Sequence, residues 1–125
     1  MAETPSSRLT FPRASRLKLR GEFARAKTDG RRLVCGCLIA NVLPRPPGHA
    51  SRLGLVTSKK IGGAVARSRA RRLMREGFRL HQRDLARPVD LVLIARPSIA
   101  GKKLADVEND LMRVVRQARL DQAPG

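Results

Sequence analysis

Apolar residues recur along this chain with two different periods, and the switches between them mark out the elements. Leu17, Leu19, Phe23 and Ala26 keep a rough three-to-four spacing that Asp29-Gly30 ends, which predicts a short helix over 17–27 weakened by Gly21. Residues 32–43, dense in Val, Leu, Ile and Cys, predict one strand. Pro44-Arg45-Pro46-Pro47-Gly48 can neither continue a strand nor open a helix, so it reads as a loop. Residues 53–58 alternate Leu53, Leu55 and Thr57 against Gly54, Val56 and Ser58, a second strand. The two strands together predict a β-hairpin with a long connection. From about residue 63 to 82 the period lengthens to that of a helix. Val89–Ala95 is almost continuously apolar and closes at Arg96-Pro97, a buried third strand. Over 102–120, Leu104, Val107, Leu111, Val114, Val115 and Ala118 return to helical spacing. The order α-β-β-α-β-α predicts an α+β fold, an α/β sandwich with helices packed on a small central sheet. Residues 1–16 read as a flexible basic arm, 17–120 as a single domain and 121–125 as a tail.

Charge changes this picture from a fold to a partner. The 125 residues carry 27 Lys and Arg against 10 Asp and Glu, a net +17. Such an excess repels itself in a compact state and calls for a polyanion, either nucleic acid or an anionic membrane. No apolar run approaches the roughly 20 residues of a spanning helix, and the first residues lack a secretory pattern. A reducing, cytoplasmic setting is the expectation. Cys35 and Cys37 then read as small half-buried strand residues. A disulfide across two positions would be strained, and His49 and His81 have no zinc-ligand spacing relative to them. With no Trp or Tyr, and Phe only at 11, 23 and 78, the chain cannot build an aromatic stacking platform. Phosphate contacts must carry most of any nucleic-acid affinity.

The basic residues gather on one element. Between positions 59 and 79 stand eight Lys or Arg and one acid, Glu76. At about 100° per residue from Arg67, the residues Arg71, Arg75, Ser68, Arg79 and Arg72 fall within about 140°. Ala66, Ala70, Leu73, Met74, Gly77 and Leu80 occupy the opposite arc. One face is thus predicted to pack, its small residues suited to a sheet, and the other is a comb of arginines four apart. Like charges at that spacing cost helix stability, while guanidinium is well matched to bidentate phosphate contact. A merely solvated face would alternate in sign. A lipid-binding face would carry bulkier apolar residues than Ala66, Ala70 and Gly77. Gly62-Gly63 leave the first N–H groups of the helix open to a phosphate, although no Gly-Lys-Ser/Thr follows to make a P-loop.

The run Arg52-Leu53-Gly54-Leu55-Val56-Thr57-Ser58-Lys59-Lys60-Ile61-Gly62-Gly63-Ala64-Val65-Ala66-Arg67-Ser68-Arg69, continued by Arg72-Leu73-Met74-Arg75-Glu76-Gly77-Phe78, closely resembles the signature of the bacterial ribonuclease P protein subunit. Glu22-Phe23, the Arg-rich entry to the first strand and residues 89–96 agree with it, so the resemblance spans roughly residues 16 to 118. Two departures stand out. The family's Arg-Asn-Arg is Arg67-Ser68-Arg69 here, and two further family aromatics are replaced by Lys27 and Asn41.

The resemblance implies a subunit that assists a catalytic RNA in removing the 5′ leader from precursor tRNA. It implies RNA contacts from Lys59, Lys60, Arg67, Ser68, Arg69, Arg71, Arg72, Arg75 and Arg79. It also implies a leader cleft involving Phe23, Arg67 and Arg71, with Arg20 and Arg25 beside them. The partners would be the catalytic RNA and precursor tRNA, with no membrane and no protein partner required. No cofactor is expected on the protein alone, Mg²⁺ being required by the RNA-containing holoenzyme. A left-handed β-α-β crossover around the basic helix is also implied, against the general right-handed rule. The residues offer no catalytic constellation of their own. Asp106, Glu108 and Asp110 read as a solvated helix face, and His49 and His81 as loop and helix-end residues. The rival reading is a structural RNA-binding protein such as a small ribosomal component. A DNA-binding module lacks the short helix that should precede the comb, and a stand-alone nuclease lacks its catalytic groups.

Overall fold

The computed structural model describes residues 29–120. The helix expected over 17–27, the arm 1–16 and the tail 121–125 lie outside the described residues. Within them run β1 (Arg31–Cys35), β2 (Leu38–Pro44), β3 (Arg52–Val56), α1 (Ala64–His81), β4 (Val89–Ala95) and α2 (Leu104–Gln117), with single 3-10 turns at Lys59–Ile61, Gln82–Asp84 and Pro97–Ile99. The four strands form one mixed sheet in the order β1-β2-β4-β3.

This corrects the expected order in two places. The single strand expected over 32–43 is a hairpin, β1 and β2, closed by the pair Cys35↔Leu38. Gly36 has φ +60 and makes the turn possible. A two-residue connection needs positive φ at its first position, which glycine meets without strain. The run of apolar residues on either side hides this turn. The second correction concerns the expected long hairpin. β3 does not pair with β2, because β4 lies between them, antiparallel to β2 and parallel to β3. The proline-rich connection sets no tight turn, and Arg45 N–H instead donates to Pro88 O (3.0 Å), extending the β2–β4 ladder. A strand flanked on both edges and covered on its faces should be apolar throughout. β4 is buried at every position but Ile94.

Alternation then sorts the sheet. Leu38, Ala40, Val42, Leu91, Leu93 and Leu53 face a core completed by Met74 and Phe78 of α1 and by Val107, Leu111, Val114 and Val115 of α2. Val92, with Leu43, Val56 and Ile94, forms a smaller cluster from the alternate positions. The small residues of α1 serve its helix partner as well as the sheet. A Cβ at Gly77 would stand 3.7 Å from Val107 and 3.8 Å from Leu111, at ordinary contact distance, so this position faces α2. Leu80, expected on the packed face, is 37% exposed.

Polar groups staple these layers. Asp90 on β4 is buried and accepts two bonds from Arg52 on β3, from Nε at 2.8 Å and Nη2 at 2.7 Å. The three acids of α2 are not the solvated face the sequence suggested. Asp106 accepts from Lys103 N–H (2.9 Å) and caps the helix. Glu108 meets His81 Nε2 at 2.7 Å, and Asp110 accepts from Cys37 N–H at 3.0 Å. Cys35 and Cys37 are free thiols, fully buried and on different parts of the hairpin. Burial, together with the hydrogen bond and charge of Asp110, pushes the Cys37 thiol up to about 12, so it is inert.

Candidate nucleic-acid interface

The interface begins where β3 ends. Ser58 Oγ accepts from Lys60 N–H (3.3 Å), folding Lys59–Ile61 into a turn that buries Ile61 and leaves Lys59 and Lys60 exposed. Gly63 caps α1 with extended backbone and no side-chain hydrogen bond. The first-turn N–H groups therefore lack a side-chain partner at the positive end of the helix dipole, beside two lysines.

Along α1 the arginines divide by partner. Arg72 and Arg75 have no hydrogen-bond partner among the described residues, and Arg67 makes only a long bond, Nε to Gly63 O at 3.5 Å. Arg71 is held differently. Its Nη1 donates to Thr57 Oγ1 at 2.7 Å and its Nη2 to Ser68 Oγ at 3.3 Å. Both acceptors are neutral, so the guanidinium is oriented without losing its charge. Thr57 stands within the signature run, but its role as an acceptor for Arg71 depends on how α1 lies against the end of β3 and has no sign in the spacing.

Two predicted residues are placed less simply. Arg69, at about 200° on the helical projection, donates to the carbonyl of Lys102 in the segment before α2, away from the comb. Arg79 lies on the comb but meets Glu76 at 2.6 Å. The hydrogen bond from Arg79 holds the Glu76 carboxyl below its usual range, so the pair stays ionic. Arg72, Arg75, Glu76 and Arg79 together line a groove of 300 Å³ on the helix surface. The structure thus brings Arg67, Ser68, Arg71, Arg72, Arg75 and Arg79 onto one element, with Lys59 and Lys60 at its approach. Arg20, Phe23 and Arg25 lie outside the described residues.

Among the described residues no group of three or more His, Cys, Asp or Glu could hold a metal ion. His81 lies between two carboxylates, Asp84 at Nδ1 (2.8 Å) and Glu108 at Nε2 (2.7 Å), on opposite edges of its ring, so the three cannot share one cation. Among the described residues no helix is long and apolar enough to cross a membrane.

The family model for ribonuclease P matches residues 11–119. The ribonuclease P protein component of Gluconacetobacter diazotrophicus is 39% identical over 107 residues, which cover 85% of this chain and 92% of that protein. The component from Desulfovibrio desulfuricans is 37% identical over 114 residues, 88% of this chain and 87% of that one. Among solved structures, the RNase P protein of Staphylococcus aureus superposes with a TM-score of 0.78 at 26% identity, covering 88% of this chain and 100% of that one. The Thermotoga maritima protein gives 0.71 at 26% identity, covering 88% and 98%. With a mixed sheet and a one-sided arginine helix, the chain belongs to the bacterial ribonuclease P protein family, the protein subunit of the endoribonuclease that processes the 5′ end of tRNA.

Proposed function

We propose that Arg67, Arg71, Arg72 and Arg75, with Ser68, Lys59, Lys60 and the open N-terminus of α1, grip phosphates of the ribonuclease P catalytic RNA. Arg67 and Arg71, at the β3 end of the helix, also border the cleft for the precursor-tRNA leader, which Phe23, Arg20 and Arg25 complete. Arg79 and Arg69 contribute less, since one is paired with Glu76 and the other is turned to Lys102. The single observation that carries this reading is the set of guanidiniums on one helix face with no acid beside them until Glu76. Ser68 in place of the family's asparagine acts through Arg71, whose orientation it shares with Thr57. The left-handed β3-α1-β4 connection implied by the resemblance, the cytoplasmic setting and sufficiency without a protein partner go with the same reading.

The described residues do not form a seat for Mg²⁺. Asp106, Glu108 and Asp110 are each committed to a partner inside the fold. On this reading the ion needed for cleavage is held by RNA, and the protein supplies fixed cations that lessen the Mg²⁺ the assembly requires. Reconstitution with the cognate catalytic RNA tests this. The protein should restore precursor cleavage at low Mg²⁺, and Arg67→Ala/Arg71→Ala/Arg75→Ala should not. Alanine keeps the helix, so folding survives, and each lost charged contact should weaken binding about tenfold. High Mg²⁺ should rescue the variant holoenzyme. Cleavage that stays absent at high Mg²⁺ with correctly folded RNA would place these arginines in the chemistry and overturn the reading.

A further inference from the structure

Beyond the end of the comb, the loop between β2 and β3 and the link from α1 to β4 border an open surface cavity of 510 Å³. Its walls include His49, Gln82, Arg83 and Arg87, with Leu85 and Pro88 supplying apolar surface, and no acid lines it. The Arg83 guanidinium and the His49 imidazole have no hydrogen-bond partner among the described residues, and both residues are exposed. Arg87 donates to the carbonyl of Arg119 through Nε (3.2 Å) and Nη2 (2.6 Å), which fixes it without neutralising it. The lining therefore favours an anion. The volume lies within the roughly 300–1,000 Å³ typical of sites for small organic ligands, well beyond a lone ion.

The cavity lies at the C-terminal end of the helix that carries the comb. Phe78 and Gln82 in its lining follow Arg75 and Arg79 by three residues each, and Arg83 stands in the 3-10 turn that succeeds α1. From Arg67 to Arg79 is about 18 Å at helical rise, and the cavity begins within a turn of that end, so one RNA strand or helix edge can span both. We propose that this cavity seats one nucleotide of the RNA bound on the comb, its phosphate on Arg83 and His49 and its base against Leu85 and Pro88. This rests on the comb reading and adds a second, separate point of attachment that orients the protein along the RNA.

Site-directed cross-linking separates the two. Ala50 stands on the cavity rim and Ala64 at the start of the comb, both exposed. The native thiols are buried, so a photo-cross-linker on Ala50→Cys or Ala64→Cys labels selectively. In the complex with cognate catalytic RNA, the Ala50→Cys probe should mark one or two nucleotides distinct from those marked at Ala64→Cys. Arg83→Ala, an exposed change that leaves the fold alone, should cut that yield several-fold and flatten the salt dependence by roughly 0.7–0.9 of a log unit per log unit. If the Ala64 probe cross-links and the Ala50 probe does not, or its products are scattered and indifferent to Arg83→Ala, the cavity assignment fails and the comb stands. If the RNA binds and neither probe cross-links, both fail.

Discussion

Gly36 carries more constraint than any other residue of the hairpin. Its φ of +60 would strain a side chain, and a Cβ there would lie 2.3 Å from Asp110 Oδ2. That carboxylate is the acceptor for Cys37 N–H, so an added methyl must displace the bond that ties the turn to α2. Left-handed backbone costs about 1–2 kcal/mol for an L-residue, and a charged hydrogen bond is worth about 1.5–3. Gly36→Ala should therefore lose about 3 kcal/mol, read as a lower urea midpoint with unchanged slope. A loss under about 0.5 kcal/mol would mean that Asp110 swings aside freely. Asn41 gives the opposite sign. It is 1% exposed, and its Nδ2 has no hydrogen-bond partner among the described residues, beside the apolar Val92 of the neighbouring strand. A buried donor left unmade costs about 1–3 kcal/mol. Asn41→Val, better suited to a strand, should raise stability by about 1 kcal/mol. A fall in the urea midpoint would show that the amide finds a partner in solution.

At the scale of elements, periodicity located α1, α2 and β4 to within three residues at each end, because long amphipathic and continuously apolar runs have few alternatives. It failed where a turn was built from apolar neighbours, as at Gly36-Cys37. It failed again where strand order was set by a distant element, since nothing in residues 38–58 says that β4 will insert between β2 and β3. The comb was legible from arginine spacing, whereas the partners that sort its members, Thr57, Glu76 and the Lys102 carbonyl, depend on how α1 lies against its neighbours. His81 illustrates the same limit. It read as an uninvolved helix end, yet it clamps the C-terminal end of α1 to Glu108 of α2. Partial burial works against the imidazolium, but hydrogen bonds to Asp84 and Glu108 outweigh it, so the pKa is raised above 6.5. The folded state then holds this proton more tightly than the unfolded chain. The contribution is complete below about 6.5 and fades as pH rises through the raised value. Melting temperature should fall from pH 6 to 8.5, and His81→Gln should flatten that fall. Parallel profiles for the two proteins would remove His81 from the clamp.

Over the whole molecule, the placement of the acids explains how a net +17 becomes a directed field. The six acids between residues 30 and 120 all have internal partners. Asp90 holds Arg52, Asp84 and Glu108 hold His81, Asp106 and Asp110 take backbone N–H groups, and Glu76 alone stands on the comb. Charge left over on the comb and its approach amounts to six cations: Lys59, Lys60, Arg67, Arg71, Arg72 and Arg75. Each phosphate neutralised contributes roughly 0.7–0.9 to the slope of log affinity against log salt, so the comb should give roughly −4 to −5, with Arg83 adding less than one. Glu76 offers a direct test of this count. Glu76→Gln keeps the side chain's shape and helix propensity but removes the carboxylate that neutralises the Arg79 guanidinium, so that its charge can act on a further phosphate. Affinity for the catalytic RNA should rise at low salt, and the slope should steepen by roughly 0.7–0.9, as for one added contact. The gain should vanish in Glu76→Gln/Arg79→Ala, because the released arginine and not the lost acid makes the contact. If the single variant steepens nothing, the RNA does not reach the last turn of α1 and the phosphate track ends at Arg75. If the double variant keeps the gain, removal of a repelling charge is the cause, and Glu76 acts on the RNA through the field alone.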